Sequence, residues 1–192
     1  MKPIVNKIDK GWVEKYQPCE ESLEWYRGYL NKSPITILNK LIKGKKYDWA
    51  NWFIVRVMTY HDYVSYAVFS AEQVIDIYEK KSPNDNRPRK AIEAAKLCIE
   101  NPSRENKAAA SRAARAAAAA NAAYVAYAAY AAADAANAAY AATFAGRAAA
   151  DAAYADAFAA SAAYAYAANA AAYRFTIQLK ILNYGMGLLK QS

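Results

Sequence analysis

Residues 108–172 include 42 alanines in 65 positions, and this composition restricts the fold more than any other feature of the chain. Alanine is the best helix former because it loses no side-chain rotamer entropy when a helix forms. Disordered low-complexity tracts are rich in Pro, Ser, Glu and Lys, which are scarce or absent here. The tract is therefore predicted to be helical. One straight helix of this length would extend on the order of 100 Å, so we expect a turn between about Ala131 and Gly146.

The larger side chains of this tract recur three or four positions apart from Tyr124 to Ser161. That spacing predicts a quasi-heptad stripe along one side of each helix. Alanine allows neighbouring helices to approach closely, and tyrosine rings fill the remaining space. An exposed stripe would form an apolar patch larger than monomers usually tolerate. We therefore expect a homo-oligomer, most simply about a two-fold axis.

Helix caps and apolar stripes of helical period recur through the rest of the chain. In SPITILNKLIKG, Ser33 is a candidate N-cap, Pro34 suits the first turn, and Gly44 suits a left-handed residue after the helix. Three further helices are predicted over about residues 20–31, over residues 60 to about 80, and from Pro88 to the break at Asn101–Pro102. Two more are predicted to begin after the N-caps Asp48 and Ser103. The last begins at about Tyr173 and is expected to fray at Gly185 and Gly187.

These elements predict an all-α fold, a helical bundle with long alanine/tyrosine-rich antiparallel helices. Residues 1–107 are expected to form an N-terminal helical part with a Trp/Tyr core and an Arg-Pro-Arg loop. Residues 108–192 supply the alanine-rich helices and a closing C-terminal helix. A chain of 192 residues is short enough for both parts to belong to one domain.

The formal net charge is +8, with 19 Lys+Arg against 14 Asp+Glu in residues 1–107 and 6 against 3 in residues 108–192. This excess suits an anionic partner and equally suits plain solubility. Cys19 and Cys98 form no disulfide framework and match no zinc spacing. With no signal-peptide or membrane-span pattern, the expected location is the cytoplasm, or the host cytoplasm if a phage encodes the protein.

The stretch DNRPRKAIEAAK, residues 85–96, resembles the Asp-x-Arg-Pro-Arg-x-Ala-Ile-Glu-Ala-Ala signature of the Imm5-like immunity-protein family. These are small alanine-rich helical proteins common in bacterial and phage genomes. CEESLEW (residues 19–25) and DWANW (residues 48–52) are similar to elements often found before that signature. The resemblance covers about residues 17–175. It implies a helical protein that neutralises a toxin or host protein by direct binding.

Arg87 and Arg89 flank Pro88 at a predicted helix start, where they are candidates for binding an anion. Guanidinium groups grip phosphate with two parallel hydrogen bonds, and helix amides add donors. The same arginines could instead tie the loop to Asp85, to Glu93 or to a neighbouring helix, and Arg89 and Glu93 have the spacing of a helical ion pair. The structural role is favoured over the anion clamp.

Arginine combined with tyrosine can hold a nucleotide without a Gly-rich loop, because arginine binds phosphate and a tyrosine face stacks on a base. Arg104, Arg112 and Arg115 share one helical face, which is either a binding strip or a solvated face. Arg147 and Arg174 stand among alanines and aromatics, where a charge needs a ligand, an aspartate or another subunit. The predicted ligand-binding residues are Arg112, Arg115 and Arg147 for phosphate, Tyr124, Tyr127 and Tyr154 for stacking, and Arg87 and Arg89 as further candidates.

Catalytic motifs are missing from the sequence. His61, the only histidine, stands beside Asp62 at a helix start, where a surface or capping role is favoured. No Walker-type loop, GxGxxG or Ser–His–Asp arrangement is present. We therefore expect a non-enzymatic protein with no catalytic residues, no metal site and no cofactor.

Two functions remain open. The first is sequestration of a small anionic ligand, such as a nucleotide immune signal, which would let a phage protein blunt host defence without catalysis. The second is the immunity-type binding of a toxin or host protein. Nucleic-acid binding is less favoured, and an ice-binding helix would need regularly spaced threonines.

Overall fold

The structure of the protein is a computed structural model that describes residues 5–16, 18–73, 75–81, 83–122 and 170–191. The described residues form helices and loops, with a single antiparallel bridge between Ile8 and Lys32 and no strand. The prediction of an all-α helical bundle is confirmed. The helices are α1 (Lys10–Lys15), α2 (Glu20–Arg27), α3 (Pro34–Lys43), α4 (Tyr47–Val57), α5 (Tyr60–Glu72), α6 (Ile75–Lys81), α7 (Arg87–Glu100), α8 (Arg104–Ala122) and α9 (Ala170–Gln191).

Among the described residues, the helices surround a core that is mostly aliphatic, with four aromatic rings buried in it. α7 packs along α8 and against α5, while α9 packs against α3, α4 and α5. Tyr26, Phe53 and Tyr66 are among the largest fully buried side chains. Because alanine contributes little buried area, these rings and the larger aliphatic side chains supply the apolar surface that stabilises the bundle.

Several helix ends follow the local rules that the sequence indicates. Ser33 Oγ accepts a hydrogen bond from the amide of Thr36 at 3.3 Å, and Pro34 begins α3. Ser103 Oγ accepts from the amide of Asn106 at 3.1 Å. Pro88 lies in the first turn of α7, where a missing amide donor costs nothing. These short-range predictions are confirmed.

The left-handed residue after α3 is Lys45, so the prediction for Gly44 was wrong by one position. Gly44 has φ −80°, while Lys45 has φ 55°. The amide of Lys46 reaches back to the carbonyl of Leu41 at 2.9 Å, as expected when the preceding residue is left-handed. The helix therefore ends with a lysine in a conformation that glycine adopts more readily.

The single helix predicted from residue 60 to about 80 is interrupted, because α5 ends at Glu72 and α6 begins at Ile75. The amide of Gln73 bonds to the carbonyl of Ser70, three residues back, at 3.2 Å. Its side-chain amide donates to the carbonyl of Phe69 at 2.9 Å and takes the place of the missing helical donor. The apolar spacing from Val64 to Tyr78 predicts an inward stripe, and its members Val64, Ala67, Val68, Ala71 and Ile75 are buried. For Val74 and Tyr78 the prediction stays a prediction.

Gly185 does not fray the C-terminal helix, which continues to Gln191. A Cβ added at Gly185 would lie 2.5 Å from Tyr66 Cε2 and 2.7 Å from Ile54 Cδ1. The missing side chain therefore lets α9 press directly against the rings and methyl groups of α4 and α5. Glycine serves packing here, and the sequence-based prediction of fraying was wrong.

Three other boundaries also differ from the predictions. α2 ends at Arg27, before the predicted residue 31, because the next amides bond three residues back. Lys46, and not Asp48, is the N-cap of α4. α1 was not predicted at all, although Asp9 caps it by accepting from the amide of Trp12 at 2.7 Å. The predicted turn between residues 131 and 146 lies outside the described residues.

Candidate functional site

A pocket with a volume of about 380 Å³ lies between the start of α2 and the start of α4. We call it the α2–α4 pocket. It is lined by Pro18, Cys19, Ser22, Tyr26, Asp48, Trp49 and Trp52. Its volume falls in the range of small-ligand sites.

Helical spacing brings the lining side chains together. On α2, Ser22 and Tyr26 are four positions apart, and on α4, Asp48 and Trp52 have the same separation. Phe53 is fully buried and anchors α4, whereas Trp52 stays half-buried at the pocket wall. The wall is thus aromatic with a few polar atoms, as in most small-molecule sites.

The hydroxyl of Tyr26 is buried and has no hydrogen-bond partner within the described part of the chain. The Tyr26 side chain is only 1% exposed, and its ring stacks on Phe53 with centroids 5.7 Å apart. Burial raises the pKa of Tyr26, and the charge of Arg56 opposes this effect. An unpartnered buried hydroxyl costs free energy. Tyr26 lines this pocket and also a second one of about 300 Å³, beside Lys10 and Arg27.

Each of the two pocket indoles carries a cation. Lys46 Nζ lies 3.8 Å from the centroid of the Trp49 ring, and the Arg56 guanidinium carbon lies 3.9 Å from that of Trp52. Cation–π contacts of this kind stabilise a partly desolvated charge. Neither cation lines the pocket itself, where Asp48 is the one charged residue among the described lining side chains, and Lys46 also pairs with Glu21 at 3.8 Å.

Arg56 is the more unusual of the two cations, because it is only 8% exposed. Its Nη1 donates to the carbonyl of Trp52, while its Nε has no partner among the described residues. No described carboxylate lies within ion-pair distance of its guanidinium. Burial lowers the pKa of Arg56, and the neighbouring rings Tyr16, Tyr26 and Tyr63 act in the opposite direction.

The remaining polar groups of the pocket are a carboxylate, a hydroxyl and a thiol. Asp48 Oδ1 accepts from Gln178 Nε2 on α9 at 3.0 Å, which fixes the carboxylate. Cys19 Sγ lies 3.1 Å from Ser22 Oγ, and that hydrogen bond is the main reason that the pKa of Cys19 is lowered. The pocket can therefore present flat indole faces, hydrogen-bonding groups and nearby positive charge to a ligand.

Arg87 and Arg89, predicted as an anion clamp or a structural tie, are both engaged by carboxylates. Arg87 binds Asp85 through Nε at 2.8 Å and Nη2 at 2.6 Å. Arg89 binds Glu79 of α6 through the same two atoms at 2.7 and 2.6 Å. The predicted Asp85 tie is confirmed, and Arg89 makes the predicted tie to a neighbouring helix, through Glu79 and, at 3.6 Å, Asp76 of α6, and not the pair with Glu93. An anion could bind either guanidinium fork only by displacing its carboxylate.

The other predicted binding residues lie apart from the α2–α4 pocket or outside the described part. Arg112 is exposed on α8. Arg115 and Arg174 lie on α8 and α9, but the description does not extend to their side chains. The remaining predicted residues, Arg147, Tyr124, Tyr127 and Tyr154, lie outside the described residues, so these predictions stay predictions. His61 is exposed, with Nδ1 3.6 Å from Asp62, as a surface role requires.

The sequence analysis did not select the pocket residues, because Trp49, Trp52 and Phe53 have the spacing of one apolar helix face that packs in a core. Only Phe53 is fully buried. One signal was available: Arg56 interrupts the apolar run NWFIVRVM, and a charge in such a run needs a partner.

Comparisons with protein-family models, with curated proteins and with solved structures give no match for this chain. Across residues 5–122 and 170–191, apart from the undescribed positions 17, 74 and 82, no helix is long and apolar enough to cross a membrane. The same residues contain no group of His, Cys, Asp and Glu side chains that could hold a metal ion.

Proposed function

We propose that the protein is a non-enzymatic binding protein that sequesters a small anionic ligand with a flat ring, such as a nucleotide, in the α2–α4 pocket. The observation that carries this proposal is Arg56, a buried guanidinium that stacks on a pocket indole and has an unpartnered Nε. A buried charge of this kind is costly unless something neutralises it. Arg56 does not itself line the pocket, but it lies against Trp52, which does, so an anionic ligand beside that indole would offset the charge.

The pocket walls favour a ring-bearing ligand over a bare anion. Trp49 and Trp52 offer indole faces, and stacking on an aromatic side chain contributes about 1–3 kcal/mol per base. Asp48 can accept from an exocyclic amine, and the Tyr26 hydroxyl lacks a partner that a ring nitrogen or carbonyl would supply. The volume of about 380 Å³ suits one small molecule rather than a strand.

The test is titration calorimetry with a panel of cyclic and linear nucleotides against the wild type and two charge variants. Arg56→Gln removes the buried charge while keeping a polar side chain of similar reach. Arg112→Ala/Arg115→Ala removes the arginines on α8 that the sequence analysis favoured. We expect at least one nucleotide to bind at micromolar concentration, Arg56→Gln to weaken that binding, and the double variant to leave it unchanged.

The opposite outcomes are equally informative. Loss of binding in the double variant alone would move the site to α8. Binding that is unchanged in Arg56→Gln would show that the buried charge of Arg56 does not attract the ligand. If the wild type binds no member of the panel, the immunity-type reading, in which the protein neutralises a toxin or host protein by direct contact, becomes the better proposal. A homo-oligomer is part of either proposal, and light scattering at micromolar concentration tests it.

A further inference from the structure

One group in the α2–α4 pocket has a chemistry that reversible ligand binding does not use, the thiol of Cys19. Cys19 is exposed, is not in a disulfide, and occupies the N-cap position of α2. Its sulfur lies 3.1 Å from the hydroxyl of Ser22. The thiol donates to that oxygen, while the Ser22 hydroxyl donates to the Cys19 carbonyl at 2.8 Å. When the thiol ionises, the same hydroxyl can turn and donate to the sulfur, and the partial positive charge of the helix N-terminus also favours the thiolate.

The other cysteine shows how different these surroundings are. Cys98 on α7 is completely buried. Burial raises the pKa of Cys98, although nearby Lys107 acts against this, whereas hydrogen bonding to Ser22 lowers the pKa of Cys19. The chain therefore contains one thiol in reach of solvent and ligands and one in the core, which serves as an internal control.

A second feature of the pocket points to an occupant independently of the thiol. The Tyr26 side chain lines the same pocket as Cys19, is 1% exposed, and has a hydroxyl without a partner in the described part of the protein. A group attached to the sulfur of Cys19 would enter a cavity with aromatic walls, behind which the Tyr26 hydroxyl is unsatisfied.

We propose that Cys19 is a modification site at which a small disulfide attaches a group inside the α2–α4 pocket and so closes it to its ligand. The closure depends on the proposed function, whereas the modification itself does not. The Cys19 thiolate attacks one sulfur of the disulfide, a new Sγ–S bond forms, and the original S–S bond breaks. The sulfur of Cys19 is oxidised, and the departing sulfur is reduced, leaves as a thiolate and takes a proton from water.

The experiment treats the native protein with dithiodipyridine, a small aromatic disulfide, and follows the released thiopyridone by absorbance. Mass spectrometry of peptides from briefly treated wild type assigns the modified residue without any substitution. We expect Cys19 to react roughly tenfold or more faster than Cys98, because thiolate character and exposure set the rate. Tryptophan fluorescence should fall with the same time course, since Trp49 and Trp52 line the pocket.

Ser22→Ala tests the role of the hydroxyl. The variant should react several-fold more slowly near neutral pH and regain the wild-type rate at alkaline pH, where the thiol ionises without help. A loss of rate that persists at alkaline pH would show that Ser22 acts only through packing, and this would contradict the assigned role.

Calorimetry with the nucleotide that binds best then separates the two proposals. Modification should abolish binding in the wild type and leave the affinity of Cys19→Ser as it was before treatment. Selective reaction of Cys19 with no nucleotide binding at all would retain the modification site and reject sequestration. Equal reactivity of Cys19 and Cys98, or modification that changes neither fluorescence nor binding, would overturn the proposal made here.

Discussion

Removing the hydroxyl of Tyr26 should stabilise the protein, although most core substitutions do the reverse. Tyr26→Phe keeps the ring and its stacking on Phe53 at 5.7 Å while deleting a buried oxygen that has no partner within the described residues. Leaving such a group unsatisfied costs about 1–3 kcal/mol. The free energy of unfolding should therefore rise by up to that amount.

The assay is urea unfolding followed by circular dichroism and tryptophan fluorescence, with thermal midpoints as a second measure. For a chain of this length, each 1 kcal/mol corresponds to a rise of about 2–4 °C in Tm. The urea midpoint should increase without a change in the m-value, since the surface exposed on unfolding is nearly the same.

Tyr66→Phe is the matched control, because Tyr66 is equally buried but donates its hydroxyl to Asn51 Oδ1. That substitution leaves the Asn51 carboxamide without this donor, and Asn51 Nδ2 already has no partner in the part of the chain that the structure describes. We expect a loss of about 1–3 kcal/mol. If both variants lose stability alike, Tyr26 has a partner in solution and the reasoning about its hydroxyl is refuted.

The remaining predictions concern helix ends and an ion pair. Gly185→Ala should destabilise the protein by about 1–3 kcal/mol, because the added Cβ would lie 2.5 Å from Tyr66. Gly187→Ala should stabilise it by roughly 0.5–1 kcal/mol, because a Cβ there meets nothing within 4 Å. Urea midpoints that shift in the same direction in both variants would contradict this pair of predictions. Lys45→Gly should raise the thermal midpoint by relieving the left-handed φ of 55°. Hydrogen bonds from Arg89 lower the pKa of Glu79, so this pair stabilises the protein above the ordinary glutamate range and loses that effect as pH falls through the lowered pKa. Glu79→Gln should therefore flatten the acid-side decline in stability, measured as urea midpoints against pH.

The all-α fold and several helix ends could be predicted because they depend on short-range chemistry. Ser33 and Ser103 cap helices through atoms three residues away, so a local pattern contains the necessary information. Gly185 was misread because its role depends on Tyr66, more than a hundred positions earlier in the chain. The break after Glu72 was missed for a related reason, since the apolar stripe continues through Ile75 while the backbone does not.

The ligand site predicted from the sequence stays a prediction, because its tyrosines and Arg147 lie outside the described residues. Arginine and aromatic rings were expected to meet an anionic ligand, and sequence analysis placed them in the alanine-rich helices. In the described residues they meet at Arg56 and Trp52, four positions apart on α4. Periodicity shows that Trp52 shares a face with buried residues, but it does not show whether another element covers the ring. Whether the Trp52 ring is covered depends on how α2 lies against α4.

The distribution of unsatisfied polar groups is the strongest reason to treat this helix pair as functional. Among the described side chains, three buried polar atoms lack partners, and they belong to Tyr26 on α2 and to Asn51 and Arg56 on α4. Each such group costs on the order of 1–3 kcal/mol, which is a large part of a typical unfolding free energy of about 5–15 kcal/mol. Packing alone gives no reason for these costs to gather on two neighbouring helices. A ligand that binds only the folded state would offset them by mass action, so a nucleotide that occupies the α2–α4 pocket should raise the thermal midpoint of the wild type more than that of Arg56→Gln.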